Sequence, residues 1–254
     1  MDKRRGLTRI ELLVLVGAIV FIVFLVLLTQ HKTKRRPRLT VACLAKLKEW
    51  GLVFEMYTSD NNGRFFSGEG RGDGHWWIDA THNYWQAKPE ILLCPMATKP
   101  LTKGGLNTFA AWKIDGISGS YGMNGWICNP EQGKTDLWGH GPIENYWRTP
   151  DANGADNVPM FFDAAWPETW PGETDKPPGT PGQKEAMGMQ RVCCNRHEGY
   201  VNVLFMDRSV RRIGLKELWK LKWNRNYNID GPWTYAGGAQ PMAWPAWMRN
   251  FRDY

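Results

Sequence analysis

The sequence predicts an α+β protein: a long amino-terminal transmembrane and amphipathic helix packed on a small antiparallel sheet, with a large irregular Trp-rich insertion. Three observations carry this expectation. Between Leu12 and Leu28 no side chain is charged or strongly polar. At ~1.5 Å of rise per residue that run, with Arg9 to Gln30 around it, is long enough for a ~30 Å hydrocarbon layer. Behind it, Leu44, Leu47, Gly51, Phe54 and Thr58 recur at three-and-four spacing, with Val41, Trp50, Val53 and Tyr57 beside them, the period of a helix with one apolar face. Near the carboxy terminus Val201, Val203 and Phe205 alternate with Asn202, Leu204 and Met206, the period of a strand.

The elements follow in order. Lys3, Arg4 and Arg5 precede Gly6, and Glu11 stands at the edge of the apolar run. The basic stretch Lys32 to Arg38 contains Pro37, which is expected to bend the long helix. Asp60-Asn61-Asn62-Gly63 ends it with turn chemistry. The ~200 residues that follow are enough for one domain with its own core. Residues 64–160 carry few periodic signals, with short strand candidates at Ser120–Asn124 and Pro159–Asp163. Pro167 to Gly182, rich in proline, reads as an exposed loop. Asp207-Arg208 turns the alternating strand back into Ser209–Ile213, and Leu215, Leu218, Trp219 and Lys222 suggest a short helix.

The net charge of +7 favours anionic surfaces without selecting a partner, and no specific nucleic acid is expected. The bases Lys3, Arg4, Arg5 and Arg9 on one flank of the apolar run nearly balance Lys32, Lys34, Arg35, Arg36 and Arg38 on the other, so charge counting does not orient the chain. Cys43, Cys94, Cys128, Cys193 and Cys194 leave one thiol unpaired even in an oxidising space, and none has C-x-x-C spacing. At most two bridges are expected, of open connectivity. Of the 15 Trp residues all but one lie after residue 58, which suggests a loop-heavy fold whose core is filled by rings.

Candidate chemistry is sparse. His75, Asp79 and His82 fit no zinc spacing and read as solvated loop residues. No cofactor and no metal are expected. No nucleophile motif accompanies His197 and Asp207. A strand between them separates the two, so they read as supports of the carboxy-terminal hairpin rather than as an acid–base pair.

The stretch Gly6-Leu7-Thr8-Arg9-Ile10-Glu11-Leu12-Leu13-Val14-Leu15-Val16 resembles the cleavage and methylation site of type IV prepilins and type II secretion pseudopilins. Counted from Leu7, Glu11 is the fifth residue, as in that family. Two departures stand out: Leu7 where Phe is usual, and Arg9 where an apolar residue is usual. The run Cys43-x-x-x-Leu47-Lys48-x-x-Gly51 is similar to a second block found in large, planctomycete-type pseudopilin-like proteins. The spacing His197-x9-Asp207 resembles their carboxy-terminal signature, with Arg208 in place of its Gly. A type I′ turn wants a positive φ at that position, so the hairpin is expected to use another turn type.

The resemblance implies a leader peptide at 1–6, a transmembrane segment at 7–30, an amphipathic stem at 31–58 and an extracytoplasmic globular domain at 59–254. It implies a structural subunit rather than an enzyme, in the inner membrane with one pass. A prepilin peptidase would cut after Gly6, Leu7 would be methylated, and Glu11 would pair in assembly with a neighbour's amino terminus. Its partners would be that peptidase, other pseudopilin subunits and inner-membrane lipid. The alternative is a membrane-anchored carbohydrate-binding protein that meets polysaccharide through exposed Trp76, Trp77, Trp166 and Trp170. A third reading is an anchored hydrolase using His197 and Asp207.

Overall fold

The computed structural model describes residues 8–70, 74–101, 107–182 and 187–254, and of residues 26–35 the backbone alone. The chain divides into two compact units, Met1–Val41 and Ala42–Tyr254, and helix α1 (Arg9–Asp60) contributes to both.

In the first unit α1 starts on a reciprocal cap. Thr8 Oγ1 accepts the Glu11 N–H at 3.3 Å, and the Glu11 carboxylate accepts the Thr8 N–H at 2.8 Å and its hydroxyl at 3.0 Å. Two backbone donors that the first turn leaves open are thereby satisfied. Pro37 lies inside the helix rather than ending it. The expectation of a transmembrane helix is corrected: among the described residues no helix is long and apolar enough to cross a membrane. The described run of uncharged side chains extends from Leu12 to Leu25, and at ~1.5 Å per residue it reaches ~21 Å of the ~30 Å required.

In the second unit α1 buries Cys43, Leu47, Trp50, Val53, Phe54 and Tyr57. Strands β1 (Trp112–Ile114) and β2 (Ile117–Gly119) form a separate hairpin. A five-stranded sheet contains β3 (Tyr121–Asn124), β4 (Pro159–Asp163), β5 (Glu168–Thr169), β6 (Tyr200–Phe205) and β7 (Val210–Gly214), in the order β5-β3-β4-β6-β7. Helix α1 packs on its centre. The Trp50 ring lies 4.8 Å from that of Phe161 in β4. A Cβ at Gly51 would stand 3.2 Å from Leu204 Cδ1 in β6, so a residue without a side chain lets helix and strand approach.

The expected small antiparallel sheet with a Trp-rich insertion is also corrected. The sheet is mixed, because β5 runs parallel to β3. The inner strands β3 and β4 come from the very stretch read as an insertion. Both are buried along their whole length. A strand covered on both faces shows no alternation of apolar and polar residues, so it leaves no period to detect.

The proline-rich stretch 167–182 is structural, not an exposed loop. Besides contributing β5, it offers carbonyls to indoles: Pro167 O accepts Trp77 Nε1–H at 3.0 Å, Pro171 O accepts Trp126 Nε1–H at 3.0 Å, and Pro178 O accepts Trp247 Nε1–H at 2.9 Å. Proline has an acceptor and no backbone donor, while the indole has a donor and no acceptor, so the two satisfy each other in a buried setting.

The β6–β7 hairpin turns through a three-residue loop, Met206–Arg208, closed by Phe205 N–H to Ser209 O at 2.9 Å. Arg208 takes φ +67, in the left-handed region that Gly adopts most freely. The loop is held from outside: Lys48 Nζ donates to Arg208 O at 2.8 Å, and the Arg208 guanidinium pairs with Glu55.

Candidate functional site

Four chain segments meet behind the sheet. Cys43 projects from α1. Cys94 follows the 3-10 turn Pro89–Leu92. Asp163 ends β4, and His197 precedes β6, where Glu198 and Gly199 at φ +56 and +89 swing the chain into the strand. All four side chains are buried, and one ligating atom from each can be chosen so that all lie within 4.8 Å of one another.

The contacts are specific. Cys43 Sγ lies 3.4 Å from Asp163 Oδ1 and 3.6 Å from Oδ2. His197 Nε2 lies 3.1 Å from Asp163 Oδ2 and 3.5 Å from Cys94 Sγ. Arg196, only 1 % exposed, donates to Asp163 Oδ1 at 3.1 Å and to the carbonyls of Thr108, Ser120 and Ala164. The Asn202 N–H donates to Oδ2 at 3.1 Å, and the Tyr121 hydroxyl to Cys43 Sγ at 3.2 Å.

Burial alone would push the Asp163 carboxyl up, but His197 and Arg196 beside it outweigh that and hold it down at about 2. Burial would lower the His197 imidazole, yet Asp163 and Cys94 raise it to about 9. Burial would raise the Cys94 thiol, and hydrogen bonding from Cys43 and His197, with Arg196 nearby, brings it down to about 6. Cys43 is pushed well up by burial. A carboxylate, an imidazole, a guanidinium and two thiols thus gather in a space closed to bulk solvent.

A Cys-His-Asp relay needs the acid on one ring nitrogen and the nucleophile on the other. Here Asp163 and Cys94 both address His197 Nε2. Solvent does not reach these side chains. Two chemistries remain open to the cluster: holding a cation, and linking its two thiols.

The residues singled out in the sequence fall elsewhere, with one exception. Gly6 and Leu7 lie outside the described residues. Glu11 serves the helix cap. Asp207 sits at the hairpin tip, where its carboxylate accepts the Ser209 N–H at 2.8 Å. His197 is the exception, and its partner is Asp163, not Asp207. The six residues of β6 hold His197 and Asp207 apart, ~20 Å at ~3.3 Å per residue. The pairing posited by the hydrolase reading is therefore not assembled. His75 Nδ1 meets Ser67 Oγ at 2.7 Å, and His82 stands edge-on to Trp85. All five cysteines are free thiols. The exposed platforms are corrected too: Trp76 and Trp77 are buried, and the Trp166 ring is covered by Arg191 at 5.2 Å.

Sequence reasoning missed Cys43, Cys94 and Asp163 as a group because their spacing is set by the fold alone. The one local signal was the position of Cys43 on the buried face of α1, four residues before Leu47. Comparison with protein-family models, with curated proteins and with solved structures found no match.

Proposed function

We propose that this chain is a pseudopilin-like structural subunit of a type II secretion or type IV pilus assembly, cut after Gly6 by a prepilin peptidase and polymerising through its amino-terminal helix. One observation carries the reading. In the first unit the apolar side chains of α1 are exposed all round the helix, with Ile10 at 75 % and Leu13 at 72 %. A helix apolar on every side needs apolar cover, and the equivalent helices of other copies supply it in a filament. The Gly6-to-Glu11 motif agrees with this use. In the filament the Glu11 carboxylate meets the amino group of a neighbour's Leu7, while Thr8 holds it in the free subunit. The reading places the subunit at the inner membrane with its globular domain, residues 59–254, on the extracytoplasmic side.

The mature amino terminus tests it. Coexpression with a prepilin peptidase should yield a chain that begins at Leu7 by mass spectrometry, and Gly6→Val should stay uncut. A wild-type chain that keeps residues 1–6 in the presence of an active peptidase removes the reading.

A second reading, a carbohydrate-binding head, is favoured by a cleft of about 560 Å³ lined by Trp76, Trp138, His140, Glu168, Trp170 and Arg191. The Trp138 side chain is 63 % exposed at its rim, and the Trp170 ring stacks on His140 at 3.7 Å. An indole face beside acidic and basic groups suits a sugar ring. Retention of the chain on immobilised polysaccharide, lost in Trp138→Ala, is the corresponding measurement.

A further inference from the structure

We propose that Cys43, Cys94, Asp163 and His197 form a structural metal site for a divalent cation of tetrahedral preference, zinc before others. Zinc bonds of ~2.3 Å to sulfur and ~2.0–2.2 Å to nitrogen and oxygen give tetrahedral edges of about 3.3–3.8 Å. The observed edges are 3.6 Å from Cys43 Sγ to Asp163 Oδ2, 3.5 Å from Cys94 Sγ to His197 Nε2, and 3.1 Å from His197 Nε2 to Asp163 Oδ2. The remaining pairs lie within 4.8 Å. The first two edges fall in that range, the third is slightly shorter, and the four groups are near enough to close on one ion.

The donor set selects the metal. Two thiolates and an imidazole suit zinc, whereas magnesium and calcium take cages of oxygen. Charge closes as well. Two thiolates and one carboxylate are balanced by the divalent ion together with the Arg196 guanidinium, and the imidazole is neutral. Arg196 takes Asp163 Oδ1 and leaves Oδ2 to the metal. The Asn202 N–H fixes the same carboxylate. Such outer contacts orient a ligating group and strengthen its hold.

The site is closed. Four protein ligands leave no position for water or substrate, and all four are buried, which marks a structural centre and not a catalytic one. It ties α1, the loop after Leu92, the end of β4 and the entry to β6 at one point. None of these segments is near another in sequence, so the ion would add a cross-link between distant parts of the chain to the apolar core they share. The signature histidine and the Cys43 block share this one role. The inference does not depend on the filament reading, since it concerns the second unit alone.

The test uses the full chain, purified without reductant from zinc-supplemented cells. Elemental mass spectrometry should find about one zinc per chain. Replacement by cobalt should give the intense d–d envelope of a tetrahedral site and a thiolate-to-cobalt charge-transfer band. Cys94→Ala and His197→Ala should each hold at least about tenfold less metal, while Cys193→Ser, a buried thiol outside the cluster, keeps it. If the ligand variants fail to fold, the wild-type cobalt spectrum decides alone. A zinc-loaded wild type with negligible metal, a cobalt spectrum without a thiolate band, or intact-mass and peptide analysis showing Cys43 joined to Cys94 would overturn the proposal.

Discussion

His197 Nε2 lies 3.1 Å from Asp163 Oδ2 in a space where neither side chain meets solvent. Asp163 also carries the Arg196 guanidinium on its other oxygen. Removing the acid therefore strands buried positive charge. Asp163→Asn should cost about 3–5 kcal/mol of stability, read from the urea midpoint. A loss near that of an ordinary surface change would mean the cluster is not held by charge. Asp207→Ala, at the hairpin tip, should cost only ~1 kcal/mol, and its effect should add to that of His197→Ala without coupling.

At Gly51 helix α1 comes close to Leu204 of β6. Alanine there gains helix propensity of ~1 kcal/mol but presses a methyl within 3.2 Å of Leu204. The two effects oppose, so Gly51→Ala should stay within about 1 kcal/mol of wild type, whereas Gly51→Leu should lose about 1–3 kcal/mol by overpacking. Denaturant midpoints of both variants check the pair. A Leu variant as stable as wild type would show that the helix can lift from the strand at no cost.

Arg208 holds a left-handed conformation that costs a side-chain-bearing residue ~1–2 kcal/mol. Arg208→Gly relieves this but loosens the unfolded chain and loses the pair with Glu55, so melting should shift little. Arg208→Val, β-branched at positive φ, should lose about 1–2 kcal/mol. If valine is tolerated, the loop can change its turn type.

Glu11 can act as a cap, as an assembly charge, or as both. Gln keeps the reciprocal hydrogen bonds of the cap and removes the charge. Under the filament reading Glu11→Gln is cut normally and assembles poorly. Filament yield for the Gln variant at the wild-type level would leave Glu11 with the cap alone. Thr8→Ala supplies the converse measurement, with the charge kept and about 0.5–2 kcal/mol of helix stability lost.

What could be read from the chain alone was whatever repeats locally. The three-and-four spacing from Leu44 to Thr58 marks α1, and the alternation from Val201 to Phe205 marks β6, because each has the period of its element. What only the tertiary structure decided was everything carried by contacts across long separations. Strands β3 and β4 coincide with the short candidates at Ser120–Asn124 and Pro159–Asp163, but their place as inner strands of one sheet is set by the fold. The indoles find their acceptors on proline carbonyls far away in the chain. Cys43, Cys94, Asp163 and His197 become neighbours only when α1 lies on the sheet. Spacing of ligands along a chain has meaning where one turn or hairpin presents them together. Here four separate elements do so, and the packing of helix on sheet brings them within reach of a single ion.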